Sequence, residues 1–564
     1  MSFRLTPLPT LLFGLFLGCS GATGGIMEGA GDPTVSDPPP EEPPVEEDGG
    51  APVEGTDAGK PKTDSGTSTG KDTGTPPPSD TGTPPPPPAD TGPPPSDPPV
   101  TGLPLIANLG ISEVAFFQGV KVSVAKSGAK ATHTADVIAG REALVRVYVT
   151  PKAGWSAAGI KGELKLISAA GGTKTYSATL TPSAASTDAS LTSTLNFSVP
   201  TGVLAPDTKY SVALYAATGG GTGDTSGAQY PAGGATESLD AKSTGEVLKI
   251  KIVPVQYNAD GTGRLPDVSA AQIERYRKAF YAMFPAKNVE VTVRAPYAWS
   301  SAVSPNGSGF STLLQALVKL RAADGAPKDV YYYGAFMATS SFSSYCSGGC
   351  VTGLCGLLTY PSDATGRACV GVGFPGTDSA STAAHEIGHA HGRAHAPCGT
   401  GDADGSYPYS GGSIGSWGYD LVDKKLFSPS TVKDFMGYCS PSWISDYTYK
   451  AIATRMTYVN GGADMVFPFD APRNYRFVAV GGDGKLTWGE RVELQEPPMA
   501  EPHTVKYVDA TGTVLETATG AYYPYDDMPG GYMLVPEGPA TAVSVAVTGM
   551  ATAGIESRLS RFAP

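Results

Sequence analysis

Four of the six histidines in this chain fall in one short run, His385-Glu386-Ile387-Gly388-His389-Ala390-His391-Gly392-Arg393-Ala394-His395. That run dictates a local fold. On a helix, positions four apart share a face one turn apart, so His385 and His389 can point at a single ion. Gly392 then lets the backbone leave the helix, and three residues later His395 can swing back as a third ligand. Three neutral imidazoles leave a tetrahedral ion one open corner, the mark of a catalytic rather than a structural zinc site. Glu386 follows the first ligand and can reach a water beside the ion without binding the ion itself. His391 lies about 200° around the helix from His389, so it is expected in a supporting or surface role.

The rest of the chain is organised around that run. At 564 residues it is too long for one hydrophobic core. No aromatic residue occurs between Phe16 and Phe116, and the proline runs concentrate there. Such a segment cannot bury enough apolar surface to offset its ordering entropy. Residues 20–101 therefore read as a disordered Pro/Thr/Asp/Gly-rich stalk, extended where proline is dense. They hold 15 Asp and Glu against 3 Lys, out of a net charge of -13 for the whole chain. The acidity belongs to the stalk. The remainder is near neutral and carries no basic footprint, which argues against nucleic acid as a partner.

Residues 1–19 combine Arg4, the apolar run Leu11 to Leu17 and Gly18-Cys19. This is the pattern of an export signal too short to span a bilayer. Its end resembles a bacterial lipobox, with Phe16 where leucine is usual. The resemblance implies lipidation at Cys19, a membrane partner through that lipid anchor, and an exported protein: an outer- or cell-surface membrane lipoprotein, or one released outside the cell. Removing Cys19 from seven cysteines leaves six, Cys346, Cys350, Cys355, Cys369, Cys398 and Cys439, which suit three disulfides in an oxidising compartment. A second zinc site at Cys346 to Cys369 is the weaker reading, because the spacings are poor for a zinc ribbon.

Residues 102–245 show short β-branched runs separated by Gly, Ser and Thr turns and are expected to form an Ig-like β-sandwich. His133 is expected there as an ordinary surface residue. From 246 to 460 strands alternate with helices. Leu248–Val255, Val289–Val293 and Val330–Phe336 read as strands. Ser269–Gln272 reads as a capping box ahead of one helix, and Leu313–Leu320 marks a second. An α/β (α+β) layer with a largely parallel sheet follows. Residues 461–564 return to strands and turns, predicting a second β-sandwich in which His503 stands alone. Asp404-Gly405 and Asp483-Gly484 suggest calcium only weakly, since the alternating oxygen ligands are incomplete.

The segment His385 to His395 resembles the zinc signature of the metzincin metallopeptidases, over about residues 246–460. The resemblance implies one catalytic Zn2+ and a methionine turn at Asp434 to Cys439, with Met436 as an apolar floor beneath the metal. It also implies Glu386 as general base and then acid, and a protein or glycoprotein substrate. A tyrosine two residues after that methionine approaches the metal in the astacin-like and serralysin-like branches; Tyr438 matches it. A Cys398–Cys439 bridge would tie the third-ligand loop to the methionine turn. No cysteine-switch propeptide is recognisable, and the Cys346 to Cys369 insert departs from the family's minimal form. Two other functions compete: a non-catalytic adhesion or carbohydrate-binding lipoprotein with a relic zinc domain, and a zinc hydrolase of cell-wall amides.

Overall fold

The computed structural model describes residues 102–218, 222–245, 247–461 and 468–548, and the backbone of 557–560. The signal segment, Cys19 and the stalk lie outside them. The described residues belong to one compact unit. No described helix is long and apolar enough to cross a membrane.

The layer that carries the histidine run is a mixed sheet. Its strands are β1 (Val247–Tyr257), β2 (Asn288–Val293), β3 (Val330–Phe336), β4 (Gly353–Cys355) and β5 (Ala368–Val372), in the order β2-β1-β3-β5-β4. All neighbours are parallel except β4, which runs antiparallel to β5 along the sheet's outer edge. β3 and β5 are buried throughout, as expected for strands covered on both faces. Helices α1 (Ala270–Met283), α2 (Phe310–Ala323), α3 (Thr377–Ala390) and α4 (Asp446–Asn460) accompany the sheet. Strands β1, β2 and β3 and the first two helices fall where hydrophobic periodicity places them; β4 and β5 were not expected.

The capping box is only half formed. Ser269 Oγ accepts the Gln272 N–H at 3.3 Å, but the Gln272 amide does not turn back. It clamps Gly376 instead, donating to its carbonyl and accepting its N–H, both at 2.9 Å. Gly376 is the N-cap of α3. Asp378 sits inside the first turn, where its charge favours the positive end of the helix dipole. Thus α1 fixes where the metal helix begins.

In the region 102–245, one antiparallel sheet contains Leu109–Phe117, Gly119–Lys126, Ala143–Pro151 and Leu195–Val199. A second contains Ile160–Ser168, Gly172–Leu180 and Lys209–Ala216. They share a core in which Phe116 meets Tyr210 edge-on, with centroids 6.1 Å apart. The first sheet does not stop at residue 245. Gly418–Asp420 and Lys425–Phe427, from beyond the metal helix, extend it through Gly418↔Val120 and Tyr419↔Gly119. Arg141, fully buried, donates to the Tyr281 and Ala286 carbonyls around the end of α1. This sheet is therefore built into the layer that carries the histidine run.

The last region differs from the expected pair of facing sheets. Seven strands from Arg473–Gly481 to Ser557–Ser560 join into one antiparallel network. It curls so that Leu486–Leu494 and the last strand approach each other, around a core of Val478, Val505, Met533 and Val545. Asp483-Gly484 is a hairpin turn, with the Gly481 N–H on the Lys485 carbonyl at 2.9 Å and Gly484 at φ +76°. The Asp404 carboxylate accepts from Arg393, Tyr447 and the Ser406 N–H. Neither site offers a cation a free oxygen cage, so the weak calcium expectation finds no support.

Candidate active site

Helix α3 lies against β5 and buries Ala380, Ala383, Ala384 and Ile387. Small residues let it approach the sheet closely. After Ala390 the helix ends in a two-bond glycine cap: Gly392 N–H donates to the His389 carbonyl at 2.8 Å, and Arg393 N–H to that of Gly388 at 3.1 Å. Gly392 has φ +79°, and a Cβ there would lie 2.8 Å from the Leu358 carbonyl oxygen. Only glycine makes this bend without strain, and the bend returns His395 to the site.

The three imidazoles converge. Nε2 of His385 and of His389 are 3.0 Å apart, and the His395 ring centroid lies 5.5 Å and 4.7 Å from theirs. Each Nδ1 faces an oxygen that can only accept: the Phe435 carbonyl at 2.8 Å, the Arg393 carbonyl at 2.5 Å and the Asp402 carboxylate at 3.1 Å. Each Nδ1 therefore carries a proton, and all three Nε2 atoms face the common centre. Anchoring the far nitrogen this way is how proteins orient metal-ligating histidines. Burial, and then the neighbouring His385, lower the pKa of His389 well below the ordinary value, so it stays neutral. The donor set fits a zinc ion.

The methionine turn sits underneath. Met436 is fully buried and its N–H donates to Asp434 at 2.8 Å. A Cβ added to Gly388, between the two helical histidines, would lie 3.1 Å from Met436 Cε. The turn also supplies the Phe435 carbonyl that orients His385. Disulfides join Cys398 to Cys439, Cys355 to Cys369 and Cys346 to Cys350. The first ties the His395 loop to the turn carrying Met436, the pairing expected from the sequence. Tyr438 is half exposed along its ring, yet its hydroxyl reaches 3.0 Å from His395 Nε2.

His391 is neither a supporting nor a surface residue. It is 2% exposed, stacked on Tyr331 at 4.4 Å between centroids, with Nδ1 on the Ile387 carbonyl at 2.7 Å. Burial pushes its pKa down to about 3. It is a core side chain on the face of α3 opposite the ligands. His133 is half-buried, and His503 contacts Glu501 at 3.2 Å far from this cluster in sequence.

Glu386 is 1% exposed and packs against β4, where Gly353 leaves room for its side chain. Its Oε2 has no hydrogen-bond donor among the described groups. Sequence reading missed what stands opposite. Asp526 and Asp527, from the turn between Val514–Pro524 and Gly530–Pro536, place carboxylate oxygens within 4.8 Å of the Glu386 carboxylate. Burial, then the Asp526 and Asp527 charges, push the Glu386 carboxyl well above the usual range. Burial, reinforced by Asp527, pushes Asp526 up to about 8. Asp527 goes the other way. Burial opposes its ionisation, but hydrogen bonds from His395 and Tyr438 hold its pKa below the usual carboxylate range. In sequence the pair is two acids inside a Tyr-Pro-Tyr…Met-Pro-Gly turn, with nothing in the spacing to connect it to a motif far upstream.

A cleft of about 510 Å³ opens beside His385 and Glu386, bordered by Arg275, Thr352, Asp423, Tyr438 and Trp443. No curated protein matches the chain. Residues 273–477, which take in strands β2 to β5, the histidine run and the turn carrying Met436, match the family model Peptidase M66, a zinc metallopeptidase family. With a His-rich cluster able to hold a metal ion, that match implies a zinc-dependent peptidase.

Proposed function

We propose that this chain is a zinc-dependent endopeptidase of metzincin type acting on extracellular proteins, with His385, His389 and His395 as the metal ligands. The observation that carries the reading is the convergence of three Nε2 atoms whose Nδ1 partners are all engaged by acceptors. When bound there, zinc would supply Lewis acidity toward a peptide carbonyl and make a water acidic enough to lose a proton near neutral pH. Glu386 receives that proton and delivers it to the leaving amine. Burial raises its pKa, the direction that lets a carboxylate hold the proton before passing it on. The Tyr438 hydroxyl donates to the oxyanion that develops on the substrate carbonyl. Met436 and the Cys398–Cys439 bridge hold the floor and the third-ligand loop in place.

The domain plan supports a displayed enzyme: a signal over 1–19 with lipidation at Cys19, a stalk over 20–101, β-rich regions over 102–245 and 461–564, and the peptidase over 246–460. The decisive experiment is Glu386→Ala. The variant should retain zinc by elemental analysis and lose casein cleavage; unchanged cleavage would refute the assignment.

A further inference from the structure

The turn that delivers Asp526 and Asp527 lies along the free edge of β4. The Leu357 N–H donates to the Pro524 carbonyl at 2.9 Å, Gly356 and Tyr525 form an antiparallel bridge, and the Asp526 N–H donates to the Cys355 carbonyl at 3.3 Å. The Cys355 N–H in turn donates to both Asp526 carboxylate oxygens, at 3.1 and 3.0 Å. Residues 524–526 thus sit on β4 as an added strand. That is the way an extended peptide docks on an exposed sheet edge, and this edge is the one beside Glu386.

From that strand Asp527 reaches into the histidine cluster. Its Oδ1 is 3.0 Å from His395 Nε2 and accepts from the Tyr438 hydroxyl. One ligand atom from each of His385, His389, His395 and Asp527 lies within 4.8 Å of the others. Neighbouring donors on a tetrahedral zinc with bonds of 2.0–2.1 Å stand about 3.3 Å apart. The 3.0 Å spacings of His385 to His389 and of His395 to Asp527 match a shared inner shell. A carboxylate serving only to orient a ligand would face Nδ1, as Asp402 does.

We propose that Asp527 is the fourth ligand of the metal, and that residues 524–528 form a built-in plug that keeps the peptidase closed. This rests on the zinc-peptidase reading above. One segment then covers all three working parts: Asp527 takes the corner a catalytic site keeps open, Asp526 faces the general base, and the backbone of 524–526 occupies the sheet edge. Withdrawal of the turn from β4 frees them together. A closed four-ligand shell characterises structural zinc and an open one catalytic zinc, so the turn's position sets which kind of site this is.

The test uses the full chain loaded with cobalt(II), whose visible absorption reports coordination, and acetohydroxamate as a small probe of an open corner. In the unmodified protein the spectrum should barely respond to the hydroxamate. In Asp527→Ala the spectrum should change, the hydroxamate should bind at least tenfold more tightly, and casein cleavage should rise at least tenfold. Asp527→Asn, which keeps the shape of the turn, should show the same changes more weakly and guards against a folding defect in the alanine variant. Identical spectra and identical hydroxamate titrations in all three proteins would overturn the fourth ligand while leaving the histidine site intact. Failure of all three to take up cobalt would overturn the histidine site itself, and the plug with it.

Discussion

Gly353→Ala should disable the enzyme from a position that touches neither metal nor peptide bond. Gly353 lies in β4 directly behind Glu386, the proposed general base. A Cβ added there would overlap the Glu386 carboxylate and lie 2.7 Å from its Cγ. Comfortable carbon contacts are about 3.5–4.0 Å, so the Glu386 side chain must retreat by about 1 Å. It has nowhere easy to go, because it is 1% exposed, with Asp526 and Asp527 opposite. Misplacing a reacting group by about 1 Å can cost a factor of 100 in rate, or about 2.7 kcal/mol. The backbone need not suffer much, since overpacking by one methyl typically costs about 1–3 kcal/mol of stability. Casein hydrolysis should therefore show kcat lowered about 100-fold with KM little changed, while elemental analysis finds one zinc per chain. A variant with unaltered kcat would mean that the carboxylate position is not critical, and the general-base assignment would fall with it. Loss of zinc would instead show that the methyl group disturbs the histidines, which the packing places elsewhere.

Other outcomes follow from the same geometry. Asp402→Asn weakens the acceptor on His395 Nδ1; because Asp402 is exposed, zinc affinity should fall by about tenfold, near the low end for such partners, as read by competition with a chelator. His391→Ala should cost about 3 kcal/mol in denaturant unfolding by emptying a stacked core position, with zinc content unchanged. The Cys398→Ala/Cys439→Ala double variant opens a 41-residue separation, for which loop-closure entropy predicts a loss of about 4 kcal/mol. Arg141→Met strands the Tyr281 and Ala286 carbonyls and should lower stability by about 2–4 kcal/mol, seen as a reduced unfolding midpoint.

What the sequence disclosed and what it concealed divide along the range of the interactions. The metal helix, its glycine exit and the returning His395 are local: helical pitch and one left-handed residue place all three imidazoles, so eleven residues suffice to read them. Strand β3 is likewise legible, because burial on both faces writes a continuous apolar run, and β1 shows through the alternation of Leu248, Ile250 and Ile252 with Lys249 and Lys251. The Cys398–Cys439 pairing was reachable only because each cysteine lies three residues from a side chain already assigned to the site. Long-range contacts were not legible. Nothing local in Gly418–Asp420 shows that it pairs with Gly119 and Val120, because strand register across some 300 residues is decided by packing and not by propensity. His391 misled because its angle on the helix was read correctly, but the opposite face proved to be core against Tyr331 and not solvent. The aspartates were hidden for the strongest reason. A lone acidic pair in a turn is indistinguishable from solvated charge until the fold brings it against three imidazoles and a buried glutamate. Their cost of burial is what gives them away: a protein does not bury Asp526 beside Glu386 unless donors such as the Cys355 N–H and a nearby cation share the load. Four histidines announce a metal. Only the tertiary structure shows the Asp527 carboxylate standing among their imidazoles.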